Sequence, residues 1–404
     1  MTEMTDPAPG PPCPVLVTGG SGYIGSWLVK RLLELGHDVH ATVRDPADPK
    51  ETRHLEAMNT DPAGSLSLHG AELLDPAGFD RAMAGCEAVF HTASPVIGRG
   101  VRDPMGVLIE PATRGTRNVL EAVNRCPTVR RVVLTSSVAA IYGDAVELAG
   151  TEEGCFNESH WNRTSSESHQ PYAYSKVLAE RLAWEVAGDQ NRWDLVVVNP
   201  GLALGPALSP HATSESVRII RDFGTGFYRL GVPKGEFGIV DVRDVAEAHV
   251  RAAMTTGAAG RHILVAETLS LQEIAAILRD HFGGGFPFPR RTLPKLVAVL
   301  LAPLAGLKRS EVRRNVGYPL RFDNRRATTH LGMRFRPVAG AIVDHFQQLI
   351  DDGLVRSRAR SRGRSDTEAP CAGLKNHSPL EEESARPGHS PQSSRRGGNA
   401  AFRE

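Results

Sequence analysis

VLVTGGSGYIGSWLVKRLLELGHDVHATVRDP (residues 15–46) decides how the rest of the chain is read. A β-branched run, VLVT, meets a cluster of glycines, and a stretch with helical apolar periodicity follows before a second run, DVHATV. The turn can be registered as Gly20-x-Gly22-x-x-Gly25 or as Gly19-x-x-Gly22-x-x-Gly25, because Gly19 and Gly20 are adjacent. In either register a strand feeds a glycine turn that opens a helix, and the backbone N–H groups there can meet a pyrophosphate at the positive end of that helix. A purely structural tight turn would use the same glycines, but the strand before it and the βαβ unit after it favour a dinucleotide. The second run ends at Val43, where a site selecting NAD places an acidic side chain on the ribose 2′-hydroxyl. Here Arg44 comes next, a planar cationic fork suited to a 2′-phosphate, with Lys50 able to add a second charge. The plain alternative is a surface arginine.

The chain has 404 residues, 41% apolar and 23% charged, which describes a soluble globular protein with room for a large core. A net charge of +1 gives no overall electrostatic reason to expect nucleic acid or an anionic membrane as partner. Cys13, Cys86, Cys126, Cys155 and Cys371 form no C-x-x-C pair and leave one over, so neither a disulfide framework nor a metal site is indicated. Reduced thiols and a cytoplasmic location are expected. Residues 1–13 lack the basic and apolar regions of a signal peptide and read as a flexible lead. The apolar run 296–307 is shorter than the roughly 20 residues a membrane span requires and contains Pro303. It is expected to be a buried or amphipathic helix near a substrate pocket rather than a membrane contact.

From residue 15 to 200, short Val- and Leu-rich runs alternate with longer helical patterns. Strands are expected to end at 43 and to span 66–73, 87–93, 130–137 and 193–200, with helices at 22–36, 76–84, 104–124 and 171–187. That alternation argues for parallel βαβ units, a doubly wound sheet with helices on both faces. Residues 14–200 are therefore assigned to a Rossmann dinucleotide-binding domain. Beyond 200 the rhythm weakens to a strand and helix over 238–254 and a helix over 269–282, so 201–354 is expected to be a smaller substrate-binding lobe, interleaved with the Rossmann domain. Residues 355–404 lack apolar periodicity and are rich in Arg, Ser, Gly and Pro, the composition of a disordered tail.

Two further stretches bear on chemistry: LTSSVAAIYG at a strand end and PYAYSKVLAE on the helix that follows. Tyr172 and Lys176 are four apart and share a helix face. A carbonyl reductase needs that pairing, because a phenol with an ordinary pKa of about 10 must protonate an alkoxide, and a nearby ammonium favours its phenolate. Ser137 is the candidate to hold the substrate oxygen, with Ser136 its neighbouring alternative. Tyr174 has the wrong spacing from Lys176.

Taken with GCEAVFHTASPV, ATVRDPADPK and VDVRDVAEAH, these motifs make residues 14–354 resemble an extended short-chain dehydrogenase/reductase. Within that superfamily the chain is similar to the dihydroflavonol 4-reductase, cinnamoyl-CoA reductase and ketone/aldehyde reductase group. The resemblance implies NADPH as hydride donor and a catalytic triad of Ser137, Tyr172 and Lys176. It implies that Gly19, Gly22, Tyr23, Ile24 and Gly25 line the pyrophosphate, and that Arg44 and Lys50 meet the 2′-phosphate. Glu72 and Leu73 would lie near the adenine, Thr92, Ala93 and Pro200 near the rest of the cofactor, and Lys176 on the nicotinamide ribose. Tyr142 stands where plant flavonoid reductases carry asparagine, Gln170-Pro171 where cinnamoyl-CoA reductases carry Asn-Trp, and Glu72 where aspartate is common. The expected function is reduction of a ketone or aldehyde to an alcohol by a monomer or homodimer acting on a small molecule. The rivals are a nucleotide-sugar epimerase or dehydratase and a 3-hydroxysteroid-type dehydrogenase. A non-catalytic dinucleotide sensor is disfavoured because both Tyr172 and Lys176 are present.

Overall fold

A computed structural model describes residues 12–59, 63–95, 103–212 and 214–357. In chain order the first half runs β1 (Pro14–Thr18), α1 (Tyr23–Glu34), β2 (Asp38–Val43), α2 (Pro49–Met58), β3 (Ser65–Gly70), α3 (Asp80–Met83), β4 (Ala88–His91), α4 (Glu110–Arg125), β5 (Arg131–Thr135), α5 (Pro171–Gly188) and β6 (Asp194–Pro200). There follow β7 (Leu202–Leu204), α6 (Glu215–Thr225), β8 (Val232–Pro233), β9 (Glu236–Asp241), α7 (Val242–Met254), β10 (Gly260–Leu264), β11 (Glu267–Ser270), α8 (Leu271–Phe282), β12 (Thr292–Leu293), α9 (Lys295–Leu301), α10 (Arg309–Asn315), α11 (Arg325–His330) and α12 (Val338–Asp351).

Seven of these strands form one parallel sheet in the order β10-β6-β5-β4-β1-β2-β3. Its inner strands β1, β5 and β6 carry runs of Val and Leu because both faces are covered there, whereas the edge strand β3 (SLSLHG) is only partly buried. Val15 and Val17 point to one side, where Leu28, Val29 and Leu32 of α1 and Val245 and Ala248 of α7 pack against them. Leu16 points to the other, onto a cluster with Val119 and Leu120 of α4 and Ala183 of α5. The order reverses between β1 and β4, so the crevice at their carboxyl ends is where a ligand of such a sheet belongs.

The seventh strand, β10, and helix α7 come from the chain beyond residue 200 and complete this sheet. Next to it, β7, β9 and β11 form a three-stranded sheet whose core includes Ile219, Phe223, Ile274 and Phe346. Val355 is buried in that core, so ordered packing continues past residue 354.

Some elements differ from expectation for local reasons. The helix anticipated over 76–84 contracts to α3 because the Asp75 side chain takes the Ala77 N–H at 3.0 Å and makes a turn instead. The one anticipated from 104 opens with a π-helical turn, Met105–Ile109, before α4. The apolar run 296–307 forms α9 and a 3₁₀ turn, Ala302–Ala305. Ala298, Val299 and Ala302 pack against Val312 and Val316, while Leu296, Leu300 and Leu304 face outward at 79%, 66% and 83% exposure. This is an amphipathic segment with its small residues inward. Among the described residues no helix is long and apolar enough to cross a membrane. The lead read at 1–13 and the tail read at 355–404 lie almost wholly outside the described residues.

Candidate active site

The glycine turn sits at the carboxyl end of β1. Gly19 has φ +69°, and a Cβ on it would lie 2.9 Å from the Ala93 backbone; a Cβ on Gly25 would lie 2.2 Å from the Gly19 carbonyl oxygen. Both glycines are demanded by the fold. Gly22 is different: its Cβ would meet only the Gly19 oxygen, at 3.1 Å. It is the N-cap of α1, with no side-chain cap and no acidic residue in the first turn. The N–H groups of Tyr23, Ile24 and Gly25 therefore have no acceptor within the helix, and a bare, positive helix end faces an open surface. That is a cradle which fits a pyrophosphate.

The Tyr23 side chain is directed away, its hydroxyl donating to the Gly205 carbonyl at 2.7 Å and its ring lying against His345, so only its backbone serves the turn. Ile24 packs on the core. Thr92 and Ala93, just after β4, close the other wall: Thr92 donates to the Thr18 carbonyl at 2.7 Å, and the Ala93 N–H donates to Thr18 Oγ1 at 3.2 Å.

Arg44 leaves the end of β2 and is 76% exposed, its guanidinium paired with the Glu51 carboxyl. Lys50 lies in the first turn of α2, with its N–H capped by Asp48 at 2.9 Å and its side chain exposed. Glu72 and Leu73 follow β3, whose last residue pairs with Val43, so both lie one strand over from Arg44. Leu73 packs on α4 and its carbonyl accepts from Asn118 at 2.8 Å.

The second cluster is built from β5, β6 and α5. Ser137 caps a 3₁₀ turn, Val138–Ala140, by accepting from the Ala139 N–H at 3.1 Å, and its hydroxyl donates to the Pro200 carbonyl at 3.4 Å. Of the two tyrosines on α5, it is the Tyr172 phenol that feels Ser137. One turn along α5, the Lys176 ammonium lies 5.8 Å from the Tyr172 ring centre and donates to Ser94 Oγ at 3.0 Å. Burial pushes the Tyr172 phenol up to about 12, with the Ser137 hydrogen bond opposing. Burial also draws Lys176 down to about 8, with the Glu180 charge opposing. His91, hydrogen-bonded to Thr18 at 2.8 Å and to Thr116 at 3.3 Å, is held neutral by burial and by the Lys176 charge, its pKa lowered to about 3.

Sequence reasoning missed the supports of this cluster. Ser136 is committed to Glu180, which also takes Asn199 at 3.0 Å and Arg261, whose guanidinium stacks 3.9 Å from the Trp161 ring centre. A small cavity of mixed lining, with His91, Thr116, Lys176 and Glu180 beside Ala112 and Leu134, lies beneath. Glu180 was detectable: it is four residues beyond Lys176, on the same face of α5. Arg261 carried no such signal, because it lies in another strand. The glycine turn, Thr92 and Ala93 thus gather at one crevice, and Ser137, Tyr172, Lys176 and Pro200 gather at another part of the same sheet edge.

The model of the NAD dependent epimerase/dehydratase family matches residues 15–266. A cinnamoyl-CoA reductase of Medicago truncatula is 40% identical over 269 residues, covering 66% of this chain and 80% of that one. Tetraketide alpha-pyrone reductase 1 of Arabidopsis thaliana is 36% identical over 69% of this chain and 83% of its own. Among solved structures, yeast methylglyoxal/isovaleraldehyde reductase complexed with NADPH superposes with a TM-score of 0.67 at 26% identity, covering 85% of this chain and 100% of that one.

Proposed function

Since the chain belongs to the NAD-dependent epimerase/dehydratase family and is an oxidoreductase of the aldehyde- and ketone-reducing kind, we propose that it moves hydride from NADPH to a carbonyl carbon using Ser137, Tyr172 and Lys176. The observation that supports this most is the convergence of Ser137, Tyr172 and, one helical turn along α5, Lys176, on the sheet edge that also presents the bare N-terminus of α1. The backbone of Gly19, Gly22, Tyr23, Ile24 and Gly25 would hold the pyrophosphate, and Arg44 and Lys50 the 2′-phosphate. Glu72 and Leu73 would flank the adenine, and Thr92, Ala93 and Pro200 the remainder. NADPH, when bound, supplies the hydride.

The chain supplies the proton. With its pKa pushed up to about 12, Tyr172 is protonated at neutral pH and can give that proton to the carbonyl oxygen as the carbon gains hydride. The phenolate left behind sits next to Lys176, which is mostly charged below its pKa of about 8 and favours that anion until solvent returns the proton. Ser137, whose bond to Pro200 is long, can turn its hydrogen toward the substrate oxygen and hold it against Tyr172.

The test is NADPH consumption by the purified protein against aromatic and aliphatic aldehydes, ketones and a nucleotide-sugar panel. Tyr172→Phe is expected to lower kcat by about a hundredfold or more, the usual range for a positioned acid, with NADPH affinity nearly unchanged. Tyr174→Phe should be mild. A loss under about tenfold in Tyr172→Phe removes Tyr172 from the acid role, and turnover confined to nucleotide sugars moves the chain to the epimerase branch.

A further inference from the structure

Directly before the Pro171-Tyr172 start of α5 stands Gln170, with φ 53° and ψ 58°. Among the described residues it is the one non-glycine with positive φ. A glutamine in the left-handed region is strained unless its surroundings hold it there. Its side-chain amide donates to the Gly143 carbonyl and to Asp144 Oδ1, both at 2.7 Å, and its backbone N–H donates to Glu311 Oε1 at 3.3 Å. The preceding residue, His169, donates from Nε2 to Asp144 Oδ2 at 2.9 Å.

The same carboxyl is used from the opposite side by α10. Arg314 Nε donates to Asp144 Oδ2 and Asn315 Nδ2 donates to Oδ1, each at 2.7 Å. Asn315 also accepts the Ala145 N–H at 2.9 Å. Asp144 is fully buried, and both of its oxygens are engaged twice. It ends the segment that begins at Ser137. One side chain therefore ties together the loop that carries Ser137, the residue that launches the Tyr172 helix, and a helix of the substrate lobe.

We infer that Asp144 is a positioning residue: by fixing Gln170 in its left-handed conformation it holds the Tyr172 phenol on Ser137, and through Arg314 and Asn315 it makes that alignment depend on α10 being seated. The inference rests on the reading of Tyr172 as proton donor. A buried carboxyl used only for packing would not need four donors from two separate segments converging next to a strained residue. Loss of the latch leaves the cofactor crevice at β1 and β4 untouched, so proton transfer and cofactor binding should respond differently.

The experiment uses the full chain in four variants: Asp144→Asn, Gln170→Gly, Arg314→Met and, as reference, Tyr172→Phe. The carbonyl compound reduced fastest in the panel above serves as probe. Readouts are kcat, KM, NADPH Kd, Tm and the isotope effect on kcat with NADPH deuterated at the transferred position. Gln170→Gly adopts positive φ without strain but has no anchor, so Tm should hold or rise while kcat falls about tenfold or more. KM and NADPH Kd should stay within about threefold, and the isotope effect should increase because the chemical step becomes slower. Arg314→Met, at a half-exposed side chain, should show the same pattern more weakly, and it decides the matter together with Gln170→Gly should Asp144→Asn fail to fold. Wild-type kcat and isotope effect in Gln170→Gly, with Tyr172→Phe inactive, overturn the latch and leave the proton donor standing. An active Tyr172→Phe overturns both.

Discussion

Arg44 and Glu51 are joined twice: one Glu51 carboxyl oxygen pairs with the Arg44 guanidinium, and the other accepts the Arg44 backbone N–H at 3.0 Å. A 2′-phosphate would compete with Glu51 for the same guanidinium. Because the arginine is 76% exposed and has five donors in its fork, it can turn to the stronger anion. Charge-assisted hydrogen bonds of this kind contribute roughly 1.5–3 kcal/mol each, and about 1.4 kcal/mol is a factor of ten. Arg44→Ala should therefore lower the ratio of kcat/KM for NADPH over NADH by about tenfold or more. Glu51→Gln should raise it, since the neutral amide still accepts the backbone N–H but no longer holds the guanidinium. Lys50→Ala should act like Arg44→Ala but more weakly. An unchanged ratio in Arg44→Ala, at fixed ionic strength, returns that residue to the surface.

The glycines of the turn should separate into two kinds. Gly25→Ala forces a Cβ into the Gly19 carbonyl and should prevent accumulation of folded protein. Gly22→Ala meets little within the chain and should lower Tm by no more than a few degrees, the cost of a poorer N-cap. Its methyl group would stand where the pyrophosphate approaches, so NADPH affinity should drop about tenfold or more. Thermal melts and fluorescence titration with NADPH distinguish the two, and wild-type affinity in Gly22→Ala would place the dinucleotide elsewhere.

Lys176 should destabilise the cofactor-free protein. Its pKa falls from 10.5 to about 8 on folding, so between those values the unfolded chain binds more protons and stability rises with pH. Below about 8 the full penalty is present, on the order of 3 kcal/mol at about 1.4 kcal/mol per unit. Lys176→Met should be more stable than wild type at pH 7, with the advantage shrinking as pH climbs past 8, while turnover is lost. Denaturant melts at pH 7 and pH 9.5 check this, and a less stable Lys176→Met at pH 7 contradicts it.

Acid should unfold the protein through its buried histidines. His91, His249, His262 and His345 are nearly or wholly buried, with pKa values lowered by burial to about 3, 4, 4 and 3 from an ordinary 6.5. The unfolded chain takes up those protons first, so stability is complete above about 6.5 and lost as pH falls toward the folded values. At pH 5.5 each costs roughly 1.4 kcal/mol, of order 5 kcal/mol together, comparable with the stability of many domains. Tm should fall steeply from pH 6.5 to 5, and His249→Gln should flatten that slope. A Tm independent of pH in this range excludes the effect.

The readable part of this molecule was local. Val15 to Gly25 announces strand, turn and helix because apolar run, bare backbone and periodicity are contiguous, and Tyr172 with Lys176 announces itself by one-turn spacing. The sequence does not announce β10 as part of the main sheet, because five residues with a buried arginine and histidine carry no alternation and their partner, β6, is about sixty residues earlier. The Asp144 cluster was illegible for the same reason. Its partners at Gln170 and Arg314 are acceptable loop and helix residues on their own, and only tertiary folding turns them into a shared hydrogen-bond acceptor's neighbours. Leu73, proposed beside the adenine, holds α4 through its carbonyl, a duty no sequence pattern reveals.

The contribution of β10 and α7 to the main sheet constrains anyone who would recombine this protein with a relative. A splice at residue 200 would hand over a gene fragment whose product ends on β6 with an open hydrogen-bonding edge and an α1 face stripped of Val245 and Ala248. Such a fragment is an aggregation hazard rather than a module. Productive chimeras must instead keep residues 14–200 together with 236–264 from one parent, and exchange the remaining segments as inserts. The nucleotide-handling half of this chain is inherited in two pieces or not at all.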